Sequence, residues 1–123
     1  MAKILVADDD EATRYLVRTL LVHAGHAVLE AADGRAALEA AAAESPDLIL
    51  LDLSLPLVSG TELMRALRAD SRTKGLAVAL YTATPMNAAL RDFMEIYGVG
   101  SAIPKPSEPQ SLIDAVALAL RRT

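Results

Sequence analysis

The chain has 123 residues, of which 53% are hydrophobic and only 3% aromatic, with no cysteine and a net charge of −4. This length fits one domain, residues 1–123, with a core of aliphatic side chains, and the lack of cysteine excludes disulfides and thiolate metal sites. The sequence has no basic stretch typical of nucleic-acid binding, no apolar run long enough to span a membrane and no secretory signal, so we expect a soluble cytoplasmic protein.

Apolar runs and helical periodicity alternate along the first half of the chain. Asp33 stands where it can cap a helix, while Gly25 and the pair Ser45-Pro46 stand where helices end. The predicted elements are a strand at Lys3–Ala7, a helix at Glu11–Ala24, a strand at Ala27–Ala31, a helix from Gly34 to about Glu44, and a strand at Asp47–Asp52.

The same alternation continues through the second half. Ser59 with Glu62, and Ser107 with Gln110, have the spacing of capping boxes at helix starts. Five strand–helix repeats predict an α/β protein with one parallel sheet that is covered by helices on both faces. The predicted elements are a helix from Ser59 to about Asp70, a strand at Leu76–Thr82, a helix at Met86–Tyr97, a strand at Ser101–Ile103, and a last helix with Pro109 near its start.

Charged and hydroxyl side chains mark the carboxyl ends of four predicted strands. The first strand runs into Asp8–Asp10, the third ends in Asp52, the fourth ends in Thr82, and Lys105 follows the fifth. Open parallel sheets bind ligands outside the carboxyl ends of their strands. The fold is therefore expected to gather these residues into one site.

The chemistry of this set points to phosphoryl transfer. Clustered carboxylates repel one another, and a hard cation with oxygen ligands, such as Mg²⁺, relieves that repulsion. Lys105 would supply positive charge to a phosphoryl group and Thr82 a hydrogen bond, while Asp52 is best placed as the nucleophile that forms an aspartyl phosphate. The first strand–helix turn reads ADDDEA and lacks the glycines that a dinucleotide site needs.

The sequence closely resembles the receiver domains of two-component response regulators along its whole length. The resemblance rests on KILVADDDE, AADGRAAL, PDLILLDLSLP, Tyr81-Thr82-Ala83 and Lys105-Pro106, and their joint order and spacing are specific. It implies a flavodoxin-like (βα)5 fold, a doubly wound parallel sheet with strand order 2-1-3-4-5.

The resemblance also implies a role for each candidate residue. Asp52 is implied to be the phosphorylation site, with Thr82 and Lys105 as the pair that contacts the phosphate. In relatives the bond that corresponds to Lys105–Pro106 is cis, which places the lysine. The implied Mg²⁺ ligands are Asp9, Asp52, the backbone carbonyl of Ser54 and, through water, Asp8.

The function that follows is signalling. A partner histidine kinase or phosphotransfer protein would donate a phosphoryl group to Asp52 in a Mg²⁺-dependent reaction, and the domain would then switch conformation to regulate a downstream effector or output domain. It would not be an enzyme, because it catalyses only its own phosphorylation and dephosphorylation. The expected partners include no directly bound nucleic acid and no membrane, and a weak homodimer through the last two helices and strand 5 is a further option.

Two alternatives use the same residues differently. An aspartate-nucleophile phosphohydrolase typically carries a second aspartate two residues after the nucleophile, where this chain has Ser54. A degenerate receiver that acts only as a protein-binding scaffold predicts the loss of an acid or of the lysine, and the chain retains them all.

The chain departs from the family pattern around the fifth strand. Ala102 stands three positions before the lysine, where relatives carry an aromatic residue that turns inward when the threonine moves toward the phosphoryl group. We therefore expect weak coupling from Thr82 to the outer face of this strand unless Tyr81 substitutes. Pro104 and Ser107, on either side of Lys105-Pro106, are further departures.

Two other polar features favour structural roles. His23 and His26 have metal-like spacing, but Gly25 ends the helix between them, so they do not share a helical face. Asp10 matches no family role and is expected to cap the helix that follows it.

Overall fold

The computed structural model describes residues 1–121, so the last two residues of the predicted domain lie outside the described part of the chain. Within residues 1–121, every helix is too short or too polar to traverse a bilayer. Five strands and five helices alternate, as the apolar pattern predicts. They are β1 (Lys3–Ala7), α1 (Glu11–His23), β2 (Ala27–Ala31), α2 (Gly34–Glu44), β3 (Leu48–Leu51), α3 (Gly60–Ala69), β4 (Ala77–Thr82), α4 (Ala88–Tyr97), β5 (Ser101–Pro104) and α5 (Pro109–Arg121).

The five strands form one sheet in the order β2-β1-β3-β4-β5, and every neighbouring pair is parallel. The central strand β3 reads LILL, and all four of its side chains are buried. A strand is apolar on both faces when helices cover both sides of the sheet. The flavodoxin-like fold and its strand order are therefore confirmed.

Two apolar layers lie on opposite faces of the sheet. Because successive side chains of a strand point to opposite faces, Ile49 and Leu51 join one layer and Leu48 and Leu50 join the other. The first layer also contains Leu63, Met64, Leu67 and Leu90 of α3 and α4. The second contains Val17, Leu21, Leu112 and Val116 of α1 and α5.

Some element ends differ from the predictions by one or two residues. The helix predicted from Met86 begins at Ala88, because the Asn87 side chain caps it by accepting the backbone N–H of Leu90 at 2.8 Å. The strand predicted at Asp47–Asp52 is confined to Leu48–Leu51, and its two flanking aspartates lie outside it. Ser59 caps α3, since its hydroxyl oxygen accepts the N–H of Glu62 at 3.2 Å, which is one of the two bonds of the predicted capping box.

The second predicted capping box, at Ser107 and Gln110, does not form. The Ser107 hydroxyl donates to the carbonyl of Pro104, and the Gln110 side chain donates to Asp114 at 2.9 Å. The helix instead begins at Pro109, where the absent N–H of proline costs no helical hydrogen bond. The peptide bond between Lys105 and Pro106 is cis, as the resemblance implies.

Candidate functional site

The carboxyl ends of β1, β3, β4 and β5 meet at one edge of the sheet, and backbone hydrogen bonds hold the polar residues there. The N–H of Asp52 donates to the carbonyl of Ala7 at 2.9 Å, and the N–H of Lys105 donates to the carbonyl of Thr82 at 3.0 Å. These bonds extend the parallel ladders one residue past the strands. They bring residues that lie far apart in sequence to the same edge.

Three carboxylates cluster at this edge. Asp8 and Asp52 are buried, with 2% and 7% of their surfaces exposed, and Asp9 is exposed. One carboxylate oxygen from each of the three lies within 4.8 Å of the other two. Buried carboxylates this close repel one another unless a cation lies between them.

Lys105 supplies that positive charge. Its Nζ lies 2.6 Å from Oδ2 of Asp8 and 3.1 Å from Oδ2 of Asp52, so one ammonium bridges both buried acids. Burial lowers the pKa of Lys105, but its hydrogen bonds to Asp8 and Asp52 outweigh burial, and the net result is a raised pKa. The ammonium therefore stays protonated at neutral pH.

Thr82 and Ser54 flank the acidic cluster. The buried Thr82 hydroxyl oxygen accepts the backbone N–H of Thr84 at 3.1 Å, which leaves its proton free to be donated elsewhere. The N–H of Ser54 donates to Oδ1 of Asp52 at 3.0 Å. Every residue predicted for the site is thus at the same edge, and Ser54 contacts Asp52 through its N–H.

Arg14 also holds the site in place, although no pattern in the sequence singles it out. Its Nη1 donates to the backbone carbonyl of Asp8 at 2.8 Å, and its Nε lies 3.3 Å from Oε1 of Glu30 on β2. The guanidinium thereby ties the end of β1 to α1 and β2. These partners are 6 and 16 residues away in sequence.

Asp10 and His26 make structural contacts, and His23 lies in the last turn of α1. Asp10 lies at the N-cap position of α1, as expected, but its side chain makes no capping hydrogen bond to the helix backbone. Its carboxylate instead accepts the Thr13 hydroxyl at 2.6 Å, which lowers the pKa of Asp10. The Nδ1 atom of His26 accepts the N–H of Ala2 at 3.2 Å. Within the described chain, the acids at positions 8, 9 and 52 are the only group of three or more metal-type side chains close enough to share an ion.

The donor set of this cluster fits a magnesium ion. All three side chains offer carboxylate oxygens, which Mg²⁺ prefers, and Mg²⁺ sites in proteins commonly use one or two carboxylates together with water and phosphate oxygens. One of the three acids is exposed, so the cluster is open to solvent on that side.

A cavity of about 260 Å³ adjoins Thr82 on the α4 side of the site. Its lining includes Ala102, whose methyl group packs in the layer of α3 and α4. Tyr81 is buried in the opposite layer, and the Lys105 ammonium lies 5.6 Å from its ring centroid. Tyr81 is therefore a core residue on the other face of the sheet, so it cannot fill the space beside Ala102.

The chain is similar to known signalling proteins in both sequence and fold. Its sequence matches the response regulator receiver domain family over residues 4–117. It is 36% identical to the DNA-binding dual master transcriptional regulator RpaA of Synechocystis sp., covering 100% of this chain and 51% of RpaA. It is 35% identical to the phosphate regulon transcriptional regulatory protein PhoB of Pseudomonas aeruginosa, covering 98% of this chain and 52% of PhoB.

The fold agrees with the high-resolution structure of the Vibrio cholerae chemotaxis protein CheY4. The TM-score is 0.89 at 31% sequence identity, and the match covers 97% of this chain and 98% of CheY4. The chain spans about half the length of the curated relatives it matches, but nearly all of this chemotaxis protein.

The prediction of no direct nucleic-acid binding is wrong. It rested on the net charge of −4 and the lack of a basic stretch. RpaA, at 36% identity, is named as a DNA-binding regulator. The charge argument covers only a stretch that corresponds to about half of such relatives, so it says nothing about the remainder.

Proposed function

The chain belongs to the response regulator receiver domain family, and from this premise we propose that Asp52 is the residue that accepts the phosphoryl group. The chain is a phosphoacceptor domain of two-component signalling. The observation that supports this role for Asp52 is that the Lys105 ammonium bridges Asp52 and Asp8 at the carboxyl ends of the strands. A cation held against a buried carboxylate is suited to the negative charge of a transferring phosphoryl group.

In the proposed reaction, a carboxylate oxygen of Asp52 attacks the phosphorus of a phosphohistidine on the donor protein. A P–O bond forms, the P–N bond breaks, and its electron pair returns to the imidazole, which leaves an acyl phosphate on the aspartate. Ser54 orients the nucleophile, because its N–H holds Oδ1 of Asp52 at 3.0 Å. Holding the carboxylate in one orientation contributes positioning, which dominates phosphoryl transfer.

Lys105 and Thr82 are proposed to hold the phosphoryl oxygens. The ammonium already lies 3.1 Å from Oδ2 of Asp52, so a phosphoryl group bonded to that carboxylate would lie within its reach. The Thr82 hydroxyl accepts a hydrogen bond from Thr84 and can donate its own proton to a phosphoryl oxygen. A shift of Thr82 toward the phosphate would carry the change into β4.

Receiver domains bind Mg²⁺ in general, and we propose that Asp9 and Asp52 would hold it here, with the backbone carbonyl of Ser54 and, through water, Asp8. The bound ion would offset the negative charge of the carboxylates and of the phosphoryl oxygens. Asp9→Asn removes one carboxylate charge from the exposed side of the cluster and should weaken Mg²⁺ binding in a calorimetric titration. A titration like that of the wild type would contradict this assignment.

The two alternative functions are not favoured. Ser54 occupies the position where an aspartate-nucleophile phosphohydrolase would carry its second acid, and its contact with Asp52 is through the backbone. A scaffold without phosphoryl transfer would not need a lysine and two buried acids in hydrogen-bonded contact, since burying charges is costly.

We propose that residues 1–123 act as one receiver domain in the cytoplasm, with a histidine kinase as donor. The domain is proposed to catalyse only its own phosphorylation and dephosphorylation. RpaA is named as a DNA-binding transcriptional regulator and PhoB as a transcriptional regulatory protein, so we propose an output domain that binds DNA as the target of the switch.

The test is incubation of the chain with acetyl phosphate and Mg²⁺, followed by assays for acyl phosphate on the protein and for released phosphate. An acyl phosphate that forms at one per chain and is still detected well after mixing supports the proposed function. Continuous release of phosphate in excess of the protein would indicate a hydrolase, and the lack of both an adduct and turnover would indicate a scaffold. The same incubation in a chelator is the control, and labelling should be lost there.

A further inference from the structure

Leu57 in the loop between β3 and α3 has an unusual backbone conformation. Its φ is +77°, in the left-handed region that leucine rarely adopts. The other described non-glycine residue with positive φ is Ser45, which ends α2 as its C-cap. Leu57 ends no helix, so its conformation has a different origin.

Its origin is a bend at 56–58 whose backbone conformation suits glycine better than leucine. Proline followed by a residue with φ near +80° is the pattern of a type II turn, in which the third position normally takes glycine or asparagine. Pro56 and Leu57 fit these two positions. The turn is fixed at both sides, because the N–H of Gly34 donates to the carbonyl of Pro56 at 3.2 Å and a Cβ on Gly34 would lie 2.6 Å from Cβ of Val58.

The Leu57 side chain does not stabilise the folded chain in return for this strain. It is 75% exposed, and it belongs to neither apolar layer of the core. Its neighbours Leu55 and Val58 do pack into or against the core. A leucine that is both strained and exposed costs stability, and strained residues of this kind concentrate at functional sites.

The position of Leu57 indicates what it contacts. The loop leaves the sheet at Asp52, only five residues earlier, and five residues span at most roughly 18 Å even when extended. A protein that brings a phosphohistidine to Asp52 must cover this edge of the sheet. A typical interface of about 800 Å² on each partner extends about 15 Å from its centre. The segment after Asp52 turns at 53–54 and bends at 56–58, so it is far from extended and Leu57 falls within that distance.

We propose that Leu57 is a docking residue for the phosphohistidine donor protein, and that an apolar side chain beside the donor's histidine covers it. This inference rests on the proposed function, since it takes Asp52 as the acceptor. Full burial of one leucine side chain changes affinity by about tenfold or more. A small phosphodonor has no surface to cover the loop, so Leu57 should not affect its reaction.

The test compares two phosphodonors on four proteins. A panel of purified histidine kinases is autophosphorylated with ATP, and the kinase that transfers its phosphoryl group fastest to the wild-type chain serves as the protein donor. Acetyl phosphate serves as the small donor. Leu57→Asn tolerates the left-handed turn but is polar, and Leu57→Met keeps the apolar contact. Ile96→Ala is the matched control, because Ile96 is 71% exposed but lies near the end of α4, at the opposite edge of the sheet.

We expect Leu57→Asn to lower the second-order rate constant for transfer from the kinase by about tenfold, and Leu57→Met and Ile96→Ala to keep it within about twofold of wild type. All four proteins should react equally with acetyl phosphate. Undiminished transfer from the kinase to Leu57→Asn would overturn the inference, and so would an equal loss with both donors. Failure of the wild-type chain to react with acetyl phosphate would instead count against the proposed function.

Discussion

At the scale of single residues, Lys105 offsets part of the negative charge of the site. One ammonium contacts two buried carboxylates, which the ends of β1 and β3 hold close together, and offsets part of their negative charge. Removing one partner from a buried ion pair destabilises a protein because it leaves an uncompensated charge. The acid cluster therefore destabilises the folded chain when no cation lies beside it.

Lys105→Met should lower the free energy of unfolding by about 2 kcal/mol in a chelator, somewhat less than for a fully buried pair because the lysine is partly exposed. Added Mg²⁺ should recover much of this loss, since a divalent cation replaces the missing charge. Urea denaturation with and without Mg²⁺ measures both effects. The control Lys3→Met removes an exposed pair with Glu44 and should cost little; a Lys105→Met protein as stable as wild type in chelator would contradict this account.

Arg68 of α3 connects the end of α4 to the segment before β4 by hydrogen bonds that no sequence pattern predicts. Its guanidinium donates to the carbonyls of Tyr97 and Gly98 at the end of α4, at 2.8 and 3.2 Å, and to those of Lys74 and Leu76 before β4, at 3.0 and 2.7 Å. Burial lowers the pKa of Arg68, and all four acceptors are neutral. This arginine fixes the C-terminal end of α4 against the α3–β4 loop.

Arg68→Met should lower the free energy of unfolding by about 2–3 kcal/mol, because it leaves carbonyls without donors. Amide exchange should accelerate at Gly98 and Val99, whose N–H groups bond to Met94 at the end of the helix. Arg72→Met is the control, since Arg72 pairs with Asp70 at the surface and should change stability by about 0.5 kcal/mol or less. Equal effects of the two substitutions would refute a special role for Arg68.

The space beside Ala102 bears on how α4 and β5 respond to phosphorylation. The cavity of about 260 Å³ contacts both Thr82 and Leu90 of α4, and the buried Tyr81 lies on the other face of the sheet. A ligand shifts a conformational equilibrium only through contacts that differ between the two states. The methyl group of Ala102 is too small to fill this cavity, so movement of Thr82 should change few contacts with α4 and β5.

We therefore predict small changes in amide exchange across α4 and β5 when the phosphoryl mimic beryllofluoride and Mg²⁺ are added to the wild-type chain. Ala102→Phe, which can fill the cavity, should enlarge those changes. Tyr81→Leu should leave them as they are in the wild type. Strong new protection of α4 and β5 in both wild type and Tyr81→Leu would show that the output needs no aromatic residue, and this prediction would fail.

The contrast between predicted and unpredicted features follows their physical origin. The strands and helices could be predicted from apolar periodicity. Asp8, Asp52 and Lys105 could be predicted as site residues because the carboxyl ends of parallel strands meet at one edge of the sheet. The sequence left the role of Tyr81 open, and the structure places it in the apolar layer opposite Ala102. Arg68 and Leu57 were not foreseeable, since carbonyl contacts 29 residues away and a strained φ leave no periodic signal.

At the scale of the whole molecule, both apolar layers share one sheet. The side chains of β3 alternate between them, so neither layer can persist without the other. We predict that the chain unfolds in urea as one cooperative unit, with coincident transitions by circular dichroism and by hydrodynamic size. Ile49→Ala and Leu50→Ala, one from each layer, should each cost about 2–5 kcal/mol; a second transition in either variant would show that the layers are separable.

The wrong prediction, that no nucleic acid is bound directly, also belongs to the scale of the whole molecule. Charge and composition describe only these 123 residues, whereas RpaA and PhoB are about twice as long. A receiver domain transmits its state to whatever it is attached to or meets, and its own surface charge does not identify that partner.

The most direct test of the central claim is intact-mass spectrometry of the chain after incubation with acetyl phosphate and Mg²⁺, for wild type and Asp52→Asn. Asparagine has nearly the same shape as aspartate but cannot form the acyl phosphate. We predict that the wild type gains the mass of one phosphoryl group and that Asp52→Asn gains none, while Asp10→Asn, at the helix cap, labels like wild type. Equal labelling of Asp52→Asn and wild type would contradict the account.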